Sequence, residues 1–396
     1  MPIYVYQGNK QISTNAIRND KAVKTIYAKE QGQDVVCVWG NDFANLLFTY
    51  TVTNDKATIT GFRSNYQHNG YLKIPNRIKN TLIVTAIGYS AFDGCVGLTG
   101  ITIPSSVNDI KDYAFRGCSN LTKIIGSSSV APIVAKQCKS NSFEVIITSG
   151  TKININFAGC IGLTSITIPT NIISIEGGTF NGCSSLKSIT IPFAGRRAND
   201  STSIGDWRPF GHIFGTSKYT GSYEAYQHIG YNDHNTYYIP SSLTTVIFNG
   251  RNILPYAFEN CTSLTSITMS DNLTSIGRYA FSGCRGLTSI EVPNSVTSID
   301  KDAFEYCTGL TSVTIGNSVT SISEYAFWQC ASLTQIVIPD KVTSIGKGAF
   351  RECSKLTNIT FNGTKAQWNA ITKGSYWDTD TGNYTIHCTD GDIPKQ

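Results

Sequence analysis

The chain has 396 residues, of which 40% are apolar and only 15% are charged, which is enough apolar material for a substantial core. Its 32 Lys and Arg residues against 27 Asp and Glu residues give a net charge of +5, with no block of five like charges. We therefore expect no nucleic-acid partner. No stretch approaches eighteen consecutive apolar residues, so we expect no membrane insertion.

The first residues, MPIYVYQGNKQIS, lack the basic and apolar regions of a signal peptide. Export by another route, prior removal of a signal, and no export at all remain open. Three runs read as short strands: IYVY (3–6), VKTIYA (23–28) and DVVCVWG (34–40). Residues 1–45 match no repeat and are interpreted as a β-rich appendage that could serve for attachment.

Cysteines recur at intervals of 23 residues along most of the chain, which indicates a repeat. The segments that follow them share the pattern C-x-x-L-x-x-I-x-I, then V-x-x-I, then A-F. Such a pattern predicts a solenoid, because each coil presents apolar residues that only a neighbouring coil can cover. The repeating cysteines are Cys95, Cys118, Cys160, Cys183, Cys261, Cys284, Cys307, Cys330 and Cys353.

Within one coil, residues 287–292 read as a short strand, and its inward positions are apolar: Leu287, Ile290 and Val292. The run 296–299 and the pair 303–304 would line the rest of the interior. The sequence thus predicts a β-rich solenoid, a right-handed array with one short strand per coil and capped ends.

The repeating cysteines would form a column through the core, in which adjacent thiols could approach disulfide distance. We expect reduced, packed thiols, because a Cys packs well as a small buried residue and a disulfide demands specific geometry. No C-x-x-C or comparable spacing occurs, so a zinc site is not expected, and no cofactor is predicted.

Residues 193–240 interrupt the repeat and carry 34 residues more than the period allows. Ten of these 48 residues are aromatic, about twice the frequency in the whole chain. Because Tyr gives a large amphipathic contact area at low entropy cost, this insertion is the first choice for a recognition site. The candidate contacts are Trp207, Tyr219, Tyr223, Tyr226, Tyr231, Arg196, Arg197 and Arg208. The alternative is that the insertion folds against the array and only packs its aromatic residues.

The outward strand positions are mostly Thr and Ser, which suit either fold maintenance through β-propensity or a flat polar surface for a glycan or a protein. The five histidines lie in no G-x-S-x-G or H-E-x-x-H context, and a buried Cys would lack a partner base. We therefore expect no enzymatic activity.

The repeats resemble the BspA-type leucine-rich repeat, a class of bacterial surface proteins. LTSITIP (163–169), AFSGC (280–284) and VTSIGKGAF (342–350) reproduce its unit almost letter for letter. The resemblance implies a capping hairpin over residues 46–80, a solenoid over 81–362 and a C-terminal cap over 363–396. The period is loose at 124–157 and broken at 193–240.

This resemblance implies a non-catalytic extracellular protein for recognition or adhesion, which binds a protein or glycan on a cell surface. The alternative is a virion protein, because the N-terminal strands, including the one ending in VWG, resemble the β-rich openings of phage tail-associated proteins. The ligand and the oligomeric state do not follow from these residues.

Overall fold

The structure is a computed structural model, and it describes residues 5–7, 10–12, 26–30, 33–37, 47–63, 68–79, 81–195, 209–230 and 232–395. In the first four of these ranges the description covers the backbone. The chain divides into two compact units, Met1–Ser140 and Asn141–Gln396.

The first unit begins with two antiparallel hairpins. Strand β1 (Val5–Gln7) pairs with β2 (Lys10–Ile12), and β3 (Ile26–Glu30) pairs with β4 (Gln33–Cys37). The three predicted strands overlap β1, β3 and β4, and within the described residues β2 is a fourth strand that the sequence did not predict. In both hairpins two residues that include a glycine separate the strands, which is the connection typical of a hairpin.

In the remaining described residues of the first unit, eight strands and the helix of residues 131–138 are assigned. The strands are β5 (Phe48–Thr53), β6 (Lys56–Phe62), β7 (Gly70–Lys73), β8 (Arg77–Ile78), β9 (Leu82–Ile87), β10 (Leu98–Thr102), β11 (Asp109–Ile110) and β12 (Lys123–Gly126). Strands β5 and β6 form an antiparallel hairpin, to which β9 and then β11 add in parallel. Strand β8 pairs antiparallel with β9. Strands β7, β10 and β12 pair in parallel.

Helix α1 (Ala131–Cys138) explains why the repeat period loosens in the sequence. It buries Ala131, Val134 and Cys138 and ends at Lys139, whose φ is 49°. The helix takes the place of the extended segment of a regular coil, and the cysteine spacings on its two sides are 20 and 22 residues instead of 23. Cys138 accordingly lies off the regular period.

The second unit is built from coils that stack through two sets of parallel strands. The longer set consists of β13 (Phe143–Ile147), β15 (Leu163–Thr167), β17 (Ser188–Ile191), β20 (Thr245–Phe248), β22 (Ser266–Met269), β24 (Ser289–Glu291), β26 (Ser312–Thr314), β28 (Gln335–Ile338), β30 (Asn358–Phe361) and β32 (Thr385–Cys388). The shorter set consists of β14 (Lys152–Ile153), β16 (Ser174–Ile175), β21 (Asn252–Ile253), β23 (Ser275–Ile276), β25 (Ser298–Ile299), β27 (Ser321–Ile322), β29 (Ser344–Ile345) and β31 (Thr372–Lys373). The β-rich solenoid is thus confirmed, and its regular coils carry a second, two-residue strand beyond the one predicted.

The interior of the second unit consists of columns of equivalent side chains. Leu287, Ile290 and Val292 are buried as predicted. The rings from Phe258 to Phe350 stack with centroids 5.1–5.5 Å apart and planes within 5° of parallel. This spacing is close to the distance between paired strands, so each coil repeats its neighbour by translation.

The thiols of the cysteine column hydrogen-bond to the backbone of the same interior. Six of them donate to a phenylalanine carbonyl 26 residues earlier at 3.1–3.3 Å: Cys118, Cys183, Cys284, Cys307, Cys330 and Cys353. Burial raises the pKa of Cys284 and of Cys353 to about 12. The reactive thiolate is therefore disfavoured in this column.

The C-terminal end of the second unit is covered by an antiparallel strand and a short helix. Strand β33 (Gly391–Pro394) pairs with β32, and helix α2 (Lys365–Ala370) begins with a capping box between Thr364 and Gln367. Trp368 of this helix is buried against Phe361. Neither α1 nor α2, the two helices of the described residues, is long and apolar enough to span a bilayer.

Candidate functional site

Residues 209–230 and 232–240 of the insertion have defined secondary structure. It contains a 3₁₀ helix (Phe210–Ile213) and a hairpin of β18 (Ser222–His228) and β19 (His234–Pro240). The two strands pair antiparallel over seven residues, from Ser222 opposite Pro240 to His228 opposite His234. This part of the insertion is therefore ordered, and we call strands β18 and β19 together the insertion hairpin.

Two phenylalanines, Phe210 in the 3₁₀ helix and Phe214 directly after it, continue the ring column of the coils. The ring of Phe214 lies 6.1 Å from Phe180, and that of Phe210 lies 5.1 Å from Phe258. The two rings also contact each other, with centroids 5.2 Å apart. The insertion thus contributes to the core as well as to the surface, which supports the packing alternative for these aromatic residues.

Gln227 attaches the insertion hairpin to the coil beside it. Its side chain is fully buried, and its Oε1 accepts from the backbone N–H of Gly211 at 2.8 Å. Its Nε2 donates to the carbonyl oxygen of Glu259 at 2.5 Å and lies 3.6 Å from Sγ of Cys261. Because a buried amide without partners costs free energy, these contacts define one position for the hairpin.

A second attachment joins His228 to the buried carboxylate of Glu259. The backbone N–H of His228 donates to Oε2 at 2.8 Å, and Nδ1 lies 2.9 Å from Oε1. The imidazole also lies over the ring of Tyr256, with centroids 4.7 Å apart. Burial raises the pKa of the Glu259 carboxyl, and the hydrogen bonds from His228 oppose that rise.

The structure separates the predicted tyrosine contacts into two groups. The hydroxyl oxygens of Tyr219 and Tyr223 are buried, and burial raises the pKa of both side chains. Tyr226, by contrast, is 45% exposed, and its ring lies 4.0 Å from that of the exposed His234. The hydroxyl ends of Tyr219 and Tyr223 therefore pack, whereas Tyr226 and His234 form an exposed aromatic pair.

The other predicted contacts lie outside the described residues: Trp207, Tyr231, Arg196, Arg197 and Arg208. Their roles in binding stay predictions, as do those of Tyr219, Tyr223 and Tyr226.

A cavity of about 410 Å³ lies beside the hairpin, and sequence reasoning missed it. Its lining consists of small, amide and aromatic residues: Gly177, Gly178, Asn181, His212, Gly215, Thr216, Ser217, Asn235 and Tyr237. One sequence signal was available, since Gly177 and Gly178 occupy the positions of Arg278 and Tyr279 in a later coil. The coil that contains these two glycines therefore lacks the two large side chains that the later coil has at the same positions.

The outward threonines of the longer strands are engaged in the scaffold. The hydroxyl of Thr311 donates to the carbonyl of Thr288 at 2.9 Å, and that of Thr334 donates to the carbonyl of Thr311 at 3.0 Å. The same bond recurs 23 residues apart in neighbouring coils. These hydroxyl protons join adjacent coils, which supports fold maintenance as the main role of this face.

The family model described as the BspA type leucine-rich repeat region matches residues 151–202 and 230–379 in six copies, slightly more than half of the chain. No curated protein matched the sequence. Among solved structures, a leucine-rich cell surface protein from Faecalibacterium prausnitzii is 27% identical, with 82% of this chain and 96% of that chain covered and a TM-score of 0.34. A leucine-rich repeat protein from Bacteroides ovatus is 23% identical, with 80% and 98% covered and a TM-score of 0.28. Because the family model matches more than half of the chain and falls on the coils described above, this chain belongs to the BspA-type leucine-rich repeat family.

Proposed function

We propose that the protein is a non-catalytic extracellular recognition or adhesion protein that binds a protein or glycan on a cell surface. The observation that carries this proposal is the insertion hairpin, which is attached through buried Gln227 and Glu259 while it exposes Tyr226 and His234. An ordered element that presents aromatic side chains loses little entropy when it binds.

The regular coils supply the scaffold for this element. Their outward positions are mostly Thr and Ser residues, and the hydroxyl protons of four of the threonines bond the neighbouring coil. A uniform face of this kind offers little individual shape for selective binding. The insertion interrupts the uniform coils and is therefore the preferred recognition element.

The proposed extracellular location is supported by membership of the BspA-type family, which is a class of bacterial surface proteins. The virion alternative stays a prediction, for which the two N-terminal hairpins provide a candidate attachment module. Genomic neighbourhood separates the two: tail and baseplate genes beside this gene favour the virion role, and an export signal in the full-length gene favours the surface protein.

The role of the insertion hairpin is tested by the double variant Tyr226→Ala/His234→Ala. We expect the unchanged protein to bind at least one partner in a panel of whole cells, glycans and extracellular-matrix proteins. We expect the double variant to bind that partner at least about tenfold more weakly, because exposed aromatic anchors contribute most of the free energy of binding.

The matched control is Tyr376→Ala, which removes another exposed tyrosine, 64% accessible, from the same unit. It should bind like the unchanged protein, and all variants should keep the original Tm. Equal binding by the double variant would remove the hairpin tip from the recognition site. Failure of the unchanged protein to bind any partner in the panel would contradict the proposed function.

A further inference from the structure

The cavity beside the insertion hairpin is formed where three glycines replace side chains. A Cβ atom on Gly177 would lie 2.8 Å from Cε1 of His212, and one on Gly215 would lie 3.1 Å from Cα of Gly178. The φ angles of Gly178 and Gly215 are 70° and 83°, a conformation that larger residues rarely adopt. Gly177 and Gly215 therefore allow the His212 ring and the Gly178 backbone to approach closely and form the walls, whereas a Cβ on Gly178 would meet nothing nearer than Cα of Gly215 at 4.0 Å.

The polar groups of the lining are held in place by the fold. Nδ2 of Asn181 donates to the carbonyls of Phe214 and Ser217 at 3.0 and 2.9 Å, so the group that Asn181 offers to a ligand is its acceptor oxygen. Nδ2 of Asn235 lies 3.4 Å from the hydroxyl oxygen of Tyr237. Preorganised amides of this kind suit a ligand that carries several hydroxyl donors and acceptors.

The chemistry of the lining favours a neutral ligand. Among the described residues that line the cavity there is no Asp, Glu, Lys or Arg, whereas two amides, two hydroxyl residues and two aromatic rings are present. A charged ligand would lose hydration without gaining an opposite charge from these residues. The cavity of about 410 Å³ lies at the small end of the range for ligand sites, which suits one or two sugar rings.

We propose that this cavity binds a neutral saccharide, with hydroxyl groups on the amides of Asn181 and Asn235 and a ring face beside His212. The inference rests on the proposed function, since it assigns a ligand class to the same recognition element. It also makes Gly178 a specificity-determining residue, because a side chain there would enter the space that the sugar occupies, and it makes Gly177 a positioning residue that admits the His212 ring.

The test is a glycan array that carries neutral, sialylated and sulfated glycans, followed by titration of the strongest neutral glycan. We expect the unchanged protein to retain neutral glycans in preference to the anionic ones. Gly177→Leu displaces the His212 ring from the lining of the cavity and should weaken binding at least tenfold. Asn235→Asp keeps the shape of the side chain but adds a negative charge, and it should also weaken binding at least tenfold.

Two controls separate a lost ligand site from a lost fold. Asn272→Asp adds the same charge at an exposed position outside the cavity and should bind within threefold of the unchanged protein. The Tm of each variant reports folding, and Asn235→Asp decides the outcome if Gly177→Leu does not fold. Unchanged binding by a folded Asn235→Asp variant, or retention of anionic glycans alone, overturns the saccharide inference.

The outcomes also separate this inference from the proposed function. A protein that binds cells or matrix proteins through Tyr226 and His234 but retains no neutral glycan overturns the saccharide inference alone. A protein that binds no cell, matrix protein or glycan overturns both.

Discussion

Members of the cysteine column such as Cys307 stabilise the fold through packing and through a hydrogen bond to the backbone. Cys307 is fully buried, and its thiol donates to the carbonyl of Phe281 at 3.2 Å. Its pKa is raised well above the ordinary value, mainly by burial. A neutral thiol of this kind acts as a small apolar residue with a weak donor.

We expect Cys307→Ser to lower the free energy of unfolding by about 1–3 kcal/mol, because the hydroxyl fills less of the column and costs more to bury. Urea denaturation under reducing conditions measures this change. As a control, a mild oxidant should leave the Tm of the unchanged protein where it was. Marked stabilisation by the oxidant would indicate disulfides and contradict the packing role.

The buried carboxyl of Glu305 makes the stability of the folded protein depend on pH. Burial raises the pKa of its carboxyl to about 7, the negative charges of Asp302 and Glu259 add to the rise, and Arg278 and Lys301 oppose it. Since this value exceeds the ordinary 4.5, the folded state favours the neutral carboxyl. The resulting stabilisation is complete below pH 4.5 and is lost as the pH rises through about 7.

We expect Glu305→Gln, which cannot ionise, to have a Tm a few degrees above that of the unchanged protein at pH 8. At pH 4 the two should differ little, because the carboxyl of the unchanged protein is then neutral. Thermal unfolding over pH 4–8 measures the difference. Glu291→Gln, on an exposed strand position, is the control, and an equal response in both variants would refute the role of burial.

At the scale of elements, the insertion hairpin and the coil beside it stabilise each other. Gln227 satisfies the N–H of Gly211 and the carbonyl of Glu259, and His228 satisfies the carboxylate of Glu259. Gly211 and Glu259 are both buried, so water cannot simply replace the hydrogen bonds that Gln227 and His228 make with them. The hairpin is therefore part of the folded unit and not an appendage to it.

Replacing residues 216–236 with a short Gly/Ser link should leave a folded array that is less stable by at least about 2 kcal/mol, because buried polar groups lose their partners. Chemical denaturation measures the loss. The single variant Gln227→Ala should reproduce part of it, which separates the buried amide from the length of the link. Unchanged stability of the shortened chain would show that the hairpin does not support the coil.

At the scale of the whole molecule, the chain depends on repetition. A coil of the second unit contacts its neighbours through equivalent residues, as the phenylalanine stack, the cysteine column and the threonine bonds show. The same positions are therefore apolar in each regular repeat, and the agreement between many copies shows which positions face the core. This is why residue spacing alone predicted the solenoid and the inward residues of the coils, whereas the family followed from the resemblance of the repeat sequences.

The repeat period and the apolar positions could be predicted from the amino-acid sequence because they recur every 23 residues, and the insertion could be located because it departs from that period. The second strand of the regular coils, the burial of Gln227 and the exposure of Tyr226 were seen only in the folded structure. The cavity was also seen only there, because it forms where Gly177 lies beside the ring of His212, a residue 35 positions later in the sequence. These features depend on single contacts between residues distant in sequence, and no repeated copy marks them in the amino-acid pattern.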